Sequence, residues 1–257
     1  MTVENEHFVA EALRIVERAE AEDIRLRILG SLAYRLHCPD NIELFSKMKR
    51  ALTDIDFAAE AHQARGIRAL LTSMGYEVDE KITMATEGSR YFFQHPTSNL
   101  GIDVFMDELY FCHQIPLKGR LHLDSPTIPL ADLVLEKMQI VEINLKDVKD
   151  TVVLLLEHDV ADTNHGRETV DGAYVADLLS KDWGFYYTVT SNLTKVERFV
   201  GDFDALAPHQ AEVISKRTRQ LLEMIEAAPK STKWKIRARV GTRKRWYQEV
   251  NEKGTTF

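Results

Sequence analysis

Residues 53–58 read TDIDFA. Their acidic members, Asp54 and Asp56, alternate with apolar residues, which is typical of a β-strand with one face in the core. Because residues i and i+2 of a strand point to the same face, this strand would hold two carboxylates side by side. Like charges so close repel each other unless a cation lies between them, and Mg²⁺ prefers carboxylate oxygens. The stretch therefore predicts a magnesium site, although D-x-D pairs without any ligand also occur in solvated strands.

A second strand with one outward acid is predicted at residues 100–106. Within it, Ile102 and Val104 would face the core and Asp103 the opposite side. If this strand lies beside the first, its aspartate joins the two earlier ones. Three carboxylates on neighbouring strands can form a two-metal site, in which one ion activates an attacking oxygen and the other stabilises the leaving phosphate.

Gly30 and Ser31 separate a strand from a helix. Residues 25–29, RLRIL, alternate between polar and apolar, and the helical pattern LAYRLHC follows directly after the pair. A strand that ends in Gly and leads into a helix N-terminus offers an anion backbone N–H groups, the positive end of a dipole and a hydroxyl. The same turn is also an ordinary helix start, with Ser31 as the N-cap.

The hydrophobic pattern changes its period near Pro129. Strand-like segments dominate before this residue, and apolar residues recur at steps of three and four after it. The sequence therefore predicts an α+β fold, with a mixed-sheet core and few helices over residues 1–128 and a mainly helical region over residues 129–257. Helices are expected at 4–22, 61–74, 130–141, 148–156, 171–181, 191–200 and 209–227, and strands at 25–29, 53–58, 76–85, 89–94, 100–106 and 109–113.

Charge is spread unevenly along the 257 residues. The chain has 33 basic and 40 acidic side chains, a net charge of −7, yet residues 228–257 carry nine Lys or Arg against two Glu. Aromatic residues are interleaved with these cations. One interpretation is that residues 230–247 contact RNA or single-stranded DNA, since cations neutralise phosphates and exposed aromatics stack on bases. The other is that residues 234–240, which alternate, form a strand that packs on the acidic remainder of the chain.

Composition excludes several classes of protein. A hydrophobic fraction of 44% argues against disorder, and no stretch approaches the roughly 20 apolar residues that cross a bilayer. The start, MTVENEHF, lacks the apolar region of a signal peptide. Two cysteines, Cys38 and Cys112, do not make a disulfide framework. The sequence therefore predicts a cytoplasmic protein without a membrane partner.

Several kinds of site are not supported by residue spacing. No two histidines stand in H-x-x-H or H-x-x-x-H, and His37-Cys38 and Cys112-His113 are adjacent pairs without ligand spacing. Spacing therefore predicts no zinc site. The chain also lacks the P-loop, the G-x-G-x-x-G fingerprint and the G-x-S-x-G nucleophile motif, which argues against those nucleotide-binding folds and that class of hydrolase.

Together the acidic strands and the Gly-Ser turn resemble the DNA polymerase beta-type nucleotidyltransferase superfamily. The likeness is carried by Leu29-Gly30-Ser31, Thr53-Asp54-Ile55-Asp56 and Ile102-Asp103-Val104. The chain is most similar to the abortive-infection type of bacterial nucleotidyltransferases, which include toxin-like relatives. That type carries an Arg before the D-x-D and later E-K and K-D-x-x-D motifs, matched here by Arg50, Glu136-Lys137 and residues 146–150. The resemblance covers roughly residues 25–158, and the 23 residues from Ser31 to Asp54 imply an insertion near residues 38–50.

The resemblance implies roles for five residues of the sheet region. Asp54 and Asp56 would bind Mg²⁺, with two ions in all, and Asp103 would be a further metal ligand that orients or deprotonates the acceptor hydroxyl. Gly30 and Ser31 would hold the β- and γ-phosphates of a nucleoside triphosphate.

The resemblance implies roles for three further residues outside that region. Lys137 would contact the triphosphate, Asp150 would be an additional acidic catalytic residue, and Arg50 would contact the nucleotide. Lys137 could instead extend along the protein surface to reach water. Asp147 and Asp150 lie in the first turn of a predicted helix, where acids interact favourably with the dipole without any catalysis, and Asp147 is expected to be a cap.

The predicted function is the transfer of a nucleoside monophosphate from a Mg-bound triphosphate to an acceptor hydroxyl, with release of pyrophosphate. The acceptor would be an RNA or tRNA end or a small molecule. The alternative is a catalytically inactive protein on the same fold that binds a nucleotide or a partner.

Overall fold

A computed structural model of the chain describes residues 3–98, 100–162 and 168–250. Its fold is α+β with a mixed sheet. Up to Pro116 the chain forms α1 (Val3–Ala21), β1 (Leu26–Leu29), α2 (Gly30–His37), α3 (Ile42–Lys47), β2 (Ile55–Ala59), α4 (Ala64–Ser73), β3 (Glu77–Val78), α5 (Glu80–Ala85), β4 (Arg90–Gln94), β5 (Gly101–Met106), β6 (Glu108–Tyr110) and β7 (Gln114–Pro116). It continues with α6 (Leu130–Met138), α7 (Leu145–Glu157), β8 (Asp159–Ala161), β9 (Thr169–Asp171), α8 (Gly172–Leu179), α9 (Trp183–Phe199), α10 (Pro208–Ala227) and α11 (Thr232–Val240).

The described residues form two compact units. The first comprises those within Met1–Leu36, Ala51–Leu109 and Gln114–Pro129, and the second those within His37–Arg50, Tyr110–His113 and Leu130–Phe257. Residues 38–50, where the resemblance implies an insertion, belong to the second unit and include α3. No helix among the described residues combines the length and hydropathy that a membrane crossing requires.

The sheet of the first unit determines where the acidic residues lie. Its strands, in the described part of the chain, follow the order β1-β2-β5-β4-β3, and only β2 and β5 run parallel. The parallel register pairs Asp56 with Asp103, while the flanking apolar residues of both strands are fully buried. Since alternate residues of a strand share a face, both carboxylates lie on the face opposite that core.

The expectation of a strand at residues 76–85 is wrong for most of its length. The strand β3 has two residues, and α5 begins directly after Asp79. Asp79 caps this helix, because its Oδ1 accepts hydrogen bonds from the backbone N–H groups of Lys81 and Ile82 at 2.8 and 3.3 Å. With five α-helices before residue 86, the expectation of few helices in the first half is also wrong.

The strand predicted at residues 234–240 is a helix, α11. Ser231 is its N-cap, since its Oγ accepts from the backbone N–H of Trp234 at 3.1 Å. The alternating apolar positions do not mark a buried face, because Ile236 is 60% exposed. Lys, Arg and Ala favour the helix intrinsically, so the local propensity and the cap prevail over the alternation.

The segment Tyr110–His113 is anchored inside the second unit, although a strand was expected at residues 109–113. Strand β6 ends at Tyr110, and the backbone N–H groups of Phe111 and His113 instead donate to the side-chain oxygen of the buried Gln139. The buried His113 ring stacks on Phe185, with centroids 5.0 Å apart, and its Nε2 lies 2.8 Å from Thr188 Oγ1. A parallel pair, β8 and β9, is a further element that periodicity did not predict.

Acid should destabilise the protein through His113. Burial lowers the pKa of His113 to about 4, and only a weaker attraction to Asp182 opposes it. This pKa lies below the value of about 6.5 that histidine has in the unfolded chain. The contribution of neutral His113 to the free energy of unfolding is therefore complete above about pH 6.5 and is lost as the pH falls through 4. At pH 4 the loss should be about 3 kcal/mol of unfolding free energy, which urea unfolding across this range would measure.

The variant His113→Phe keeps an aromatic ring against Phe185 and should lack this acid sensitivity. His62→Phe, which replaces an exposed histidine, should retain it. Equal pH dependence in wild type and His113→Phe would contradict the assignment.

Candidate functional site

The three aspartates predicted from the acidic strands come together in the first unit. Asp56 is half-buried on β2, Asp103 is 7% exposed on the adjoining β5, and Asp54 is exposed just before β2. The Oδ1 atom of Asp54 accepts a hydrogen bond from Thr53 Oγ1 at 3.0 Å. Asp54 is also close enough for its charge to act on Asp103. Like charges therefore act on each other between Asp54 and Asp103.

Asp103 is more enclosed than its predicted outward position suggested. Burial raises the pKa of Asp103, as does the charge of Asp54, while Arg90 opposes both. Arg90 Nε donates to Asp103 Oδ1 at 2.6 Å, and its guanidinium lies over the Phe105 ring, 5.4 Å from the centroid. Sequence reasoning missed Arg90, because only the antiparallel register of β4 and β5, in which Phe92 pairs with Asp103, brings it there.

Gly30 packs its backbone directly against Asp56. It has φ +69°, and a Cβ at this position would lie well inside van der Waals contact of Asp56 Oδ2. Both the left-handed conformation and the close approach favour glycine. Glycine is therefore favoured at position 30 partly because of its contact with Asp56 of the D-x-D pair.

Ser31 lies in the first turn of α2 rather than before it, because the helix begins at Gly30. It is buried, and its backbone carbonyl accepts from Arg35 Nη1 at 3.3 Å. Its expected role as N-cap is therefore corrected. The helix start still lies at the Gly30 turn, and helix N-termini are where backbone N–H groups can bind anions.

The second unit holds a separate cluster of buried charges. Arg50 binds Asp150 with both prongs of its guanidinium, since Nε donates to Oδ1 and Nη2 to Oδ2, each at 2.9 Å. Asp150 is fully buried. Burial raises the pKa of Asp150, while Lys137 and Arg50 oppose that rise. Such a bidentate pair joins the segment before β2 to α7 within this unit.

Lys137 lies in the same cluster and does not reach out to water. Its Nζ is 3.0 Å from Glu136, 3.4 Å from Asp147 and 3.9 Å from Asp150, and its side chain is 12% exposed. Burial alone would lower the pKa of Lys137, but Glu136 and the two aspartates outweigh burial and raise it, so the ammonium stays charged. The structure thus excludes the surface-extended alternative for this lysine.

The cap of α7 is Asn144 rather than Asp147. The Oδ1 atom of Asn144 accepts from the backbone N–H groups of Lys146 and Asp147 at 2.8 and 3.1 Å. Asp147 is instead an ion-pair partner of Lys137. The two acids of the K-D-x-x-D motif, Asp147 and Asp150, therefore both face the lysine from one helix.

An open cleft of about 670 Å³ adjoins Lys137 in the second unit. Its walls include Glu136, Asp147 and Asn144 on one side and Phe111 and Tyr247 among the apolar groups. Within this lining the carboxylates outnumber the lysine, so the cleft by itself does not favour a polyanion.

The aromatic residues of the basic tail are occupied within the second unit. Trp246 Nε1 donates to Thr188 Oγ1 at 3.1 Å, and its ring meets Tyr187 edge to face at 5.2 Å. Trp234 meets Tyr186 in the same manner at 5.0 Å. The tail therefore packs on α9. Its aromatic residues are half-buried, whereas base stacking requires exposed ones. The exposed cations that could still meet phosphates are Lys233, Lys235, Arg239, Arg243, Lys244 and Arg245.

Compared with models of protein families, with curated proteins and with solved structures, the chain matches none. The likeness to nucleotidyltransferases therefore depends on the residues quoted above. Of these, Gly30, Asp54, Asp56 and Asp103 lie together in the first unit, whereas Arg50, Lys137 and Asp150 lie together in the second.

Replacing Gly30 with alanine should destabilise the protein more than the conformation alone explains. The left-handed φ should cost about 1–2 kcal/mol for any residue with a Cβ. The contact with the Asp56 carboxylate should add about 1 kcal/mol or more. Gly119→Ala is the matched control, because Gly119 also has a positive φ (+72°) but no atom lies within 4 Å of its added Cβ. Denaturant unfolding that gives equal losses for the two variants would contradict the close packing.

Loss of the Asn144 side chain should weaken α7 by about 1 kcal/mol in Asn144→Ala. Asn144→Ser keeps an oxygen that can cap the helix and should restore most of the stability. Chemical denaturation of both variants tests this. An Asn144→Ala variant as stable as wild type would contradict the assignment of the cap.

Proposed function

We propose that this chain is a nucleotidyltransferase that moves a nucleoside monophosphate from a Mg-bound triphosphate to an acceptor hydroxyl. One observation carries the proposal. The parallel register sets Asp56 beside Asp103, with Asp54 near them and the Gly30 backbone against Asp56. A structural role does not explain why three acids and a helix start meet at one place, whereas phosphoryl transfer uses both.

The donor set fits Mg²⁺. Three carboxylates supply hard oxygen ligands, and burial together with the charge of Asp54 raises the pKa of Asp103. When bound, Mg²⁺ would neutralise phosphate charge and make the acceptor oxygen more nucleophilic. Asp54 and Asp56 are proposed as metal ligands, and Asp103 as a further one.

The roles of the protein groups follow from their positions. The backbone N–H groups at the start of α2 would bind the terminal phosphates, since helix N-termini attract anions. Asp103 would orient the acceptor hydroxyl or take its proton, while Arg90 donates to Asp103 Oδ1. Its raised pKa makes it a stronger base than an ordinary carboxylate. The acceptor oxygen then bonds to the α-phosphorus as the bond to the bridging oxygen breaks, and pyrophosphate leaves.

Arg90 is a positioning residue in this scheme. Its hydrogen bond fixes the rotamer of the Asp103 carboxylate, and its place over Phe105 fixes the guanidinium in turn. The roles of Lys137, Asp150 and Arg50 stay separate predictions. Their mutual ion pairs within the second unit already give each of them a structural partner.

One observation favours the non-catalytic alternative. The ion pair between Arg90 and Asp103 already neutralises one of the three acids without a metal. A protein that only binds a nucleotide or a partner could use the site in this state. Calorimetry with triphosphates, with and without Mg²⁺, combined with a turnover assay separates the two functions: binding without turnover supports the alternative.

The test is a label-transfer assay with the full chain. Each nucleoside triphosphate, labelled at the α-phosphate, is incubated with Mg²⁺, total RNA and a panel of hydroxylated small molecules. We expect label in one acceptor class, and label supplied at the γ-phosphate should appear only in pyrophosphate. Asp54→Asn, Asp56→Asn and Asp103→Asn should each lower the rate about 100-fold or more, since each removes charge that the transition state needs.

The matched control is Asp177→Asn, which changes an exposed acid on α8. It should leave transfer unchanged. Turnover that survives loss of Asp54 and Asp56 in folded protein would refute the proposal. With an RNA acceptor, binding should weaken steeply as salt rises, and deletion of residues 230–250 should reduce it, whereas a small neutral acceptor should show neither effect.

A further inference from the structure

Three potential ligand groups meet in the second unit. His37 ends α2, His158 directly follows α7, and Glu168 directly precedes β9. Each offers a ligand atom, and these atoms all lie within 4.8 Å of one another. Both histidines are buried, whereas the glutamate side chain is 65% exposed. The cluster therefore has a fixed inner side and an opening to solvent.

Two distances within the cluster match the edges of a tetrahedron around a metal ion. Glu168 Oε2 lies 3.4 Å from His37 Nδ1 and 3.4 Å from His158 Nδ1. Four ligands at about 2.1 Å from Zn²⁺ are separated by about 3.4 Å in tetrahedral geometry. Both spacings are longer than the usual N–H···O distance, so they suit a shared ion better than direct hydrogen bonds.

Both ring nitrogens of His158 lie near backbone carbonyl oxygens. Its Nε2 lies 2.9 Å from the carbonyl oxygen of His37, and its Nδ1 lies 3.1 Å from the carbonyl oxygen of Glu168. Both neighbours are acceptors, and a neutral imidazole has only one N–H to donate. Once Nε2–H donates to His37, the lone pair on Nδ1 faces oxygen atoms. A metal ion at Nδ1 would remove that repulsion.

The Nε2 contact is the one that usually accompanies metal ligation. A histidine that binds a metal through one nitrogen typically donates its other N–H to a carbonyl, which fixes the tautomer and the ring orientation. His158 has this arrangement through the His37 carbonyl. The thiol of Cys38 lies on that side of the ring, 3.9 Å from Nε2, and is therefore not a ligand. The site also lies at the carboxyl end of α2, where the helix dipole favours a cation.

We infer that His37 Nδ1, His158 Nδ1 and the Glu168 carboxylate bind a transition-metal dication of the Zn²⁺ class. Two imidazoles and one carboxylate suit Zn²⁺ rather than Mg²⁺, which prefers oxygen alone. Three protein ligands leave one position for water, on the side where Glu168 is exposed. The ion would tie together the ends of α2 and α7 and the start of β9. This site is independent of the proposed transfer activity.

Sequence spacing did not reveal the site, and the expectation of no zinc site followed from that. The ligands are separated by 121 and 10 residues, whereas the H-x-x-H rule finds ligands on one turn of one helix. Only the fold brings these three residues together.

The test uses the full chain, freed of metal with a chelator and then desalted. Zn²⁺ is titrated against a chromophoric competitor, and the metal retained after dialysis is counted by mass spectrometry. We expect one equivalent that excess Mg²⁺ does not displace, a higher melting temperature with Zn²⁺, and visible absorption bands with Co²⁺ in its place. Glu168→Gln, which changes an exposed side chain and should fold normally, should lower the affinity at least tenfold.

Two control variants accompany the test. Glu223→Gln changes another exposed glutamate, on α10, and His209→Ala another exposed histidine, and both should bind as wild type does. His37→Ala should lose the bound equivalent, and Glu168→Gln keeps the test decisive if His37→Ala does not fold. No retained metal in wild type, or retention that Glu168→Gln leaves unchanged, would overturn the site.

Discussion

The parallel pairing of β2 with β5 is the constraint on which the candidate site depends. It places Asp56 and Asp103 side by side, because residues that are partners in a parallel ladder share a face. Two carboxylates so placed repel each other. Burial of the apolar residues that flank them in both strands, on the opposite face of the sheet, offsets that repulsion. Stability and chemistry are thus divided between the two faces of the same two strands.

The two units handle their buried charges differently. In the first, Arg90 binds one oxygen of Asp103, so the acidic cluster keeps an excess of negative charge. In the second, Arg50 and Lys137 nearly balance the carboxylates around them. A balanced buried network adds little net stability over apolar packing, but it penalises any arrangement that separates its members. The second cluster is therefore well suited to fixing the register of helices, and the first to binding cations.

Much of the fold could be predicted from the sequence, and the failures have physical causes. The periodic helices and the strands with clear alternation were found, as was the convergence of Asp54, Asp56 and Asp103. Residues 80–85 and 232–240 were misjudged because side-chain caps outweighed weak alternation. Arg90 and the histidine cluster were missed because strand register and long-range contacts, rather than local spacing, create them.

The contact between Gly30 and Asp56 couples two positions that are 26 residues apart in the chain. A side chain at position 30 requires the Asp56 carboxylate to shift or the residue there to become shorter, and the left-handed backbone still disfavours it. Substitutions at the two positions should therefore be non-additive. Sequences that share this fold should covary at the pair, so that any departure from glycine accompanies the loss of the carboxylate.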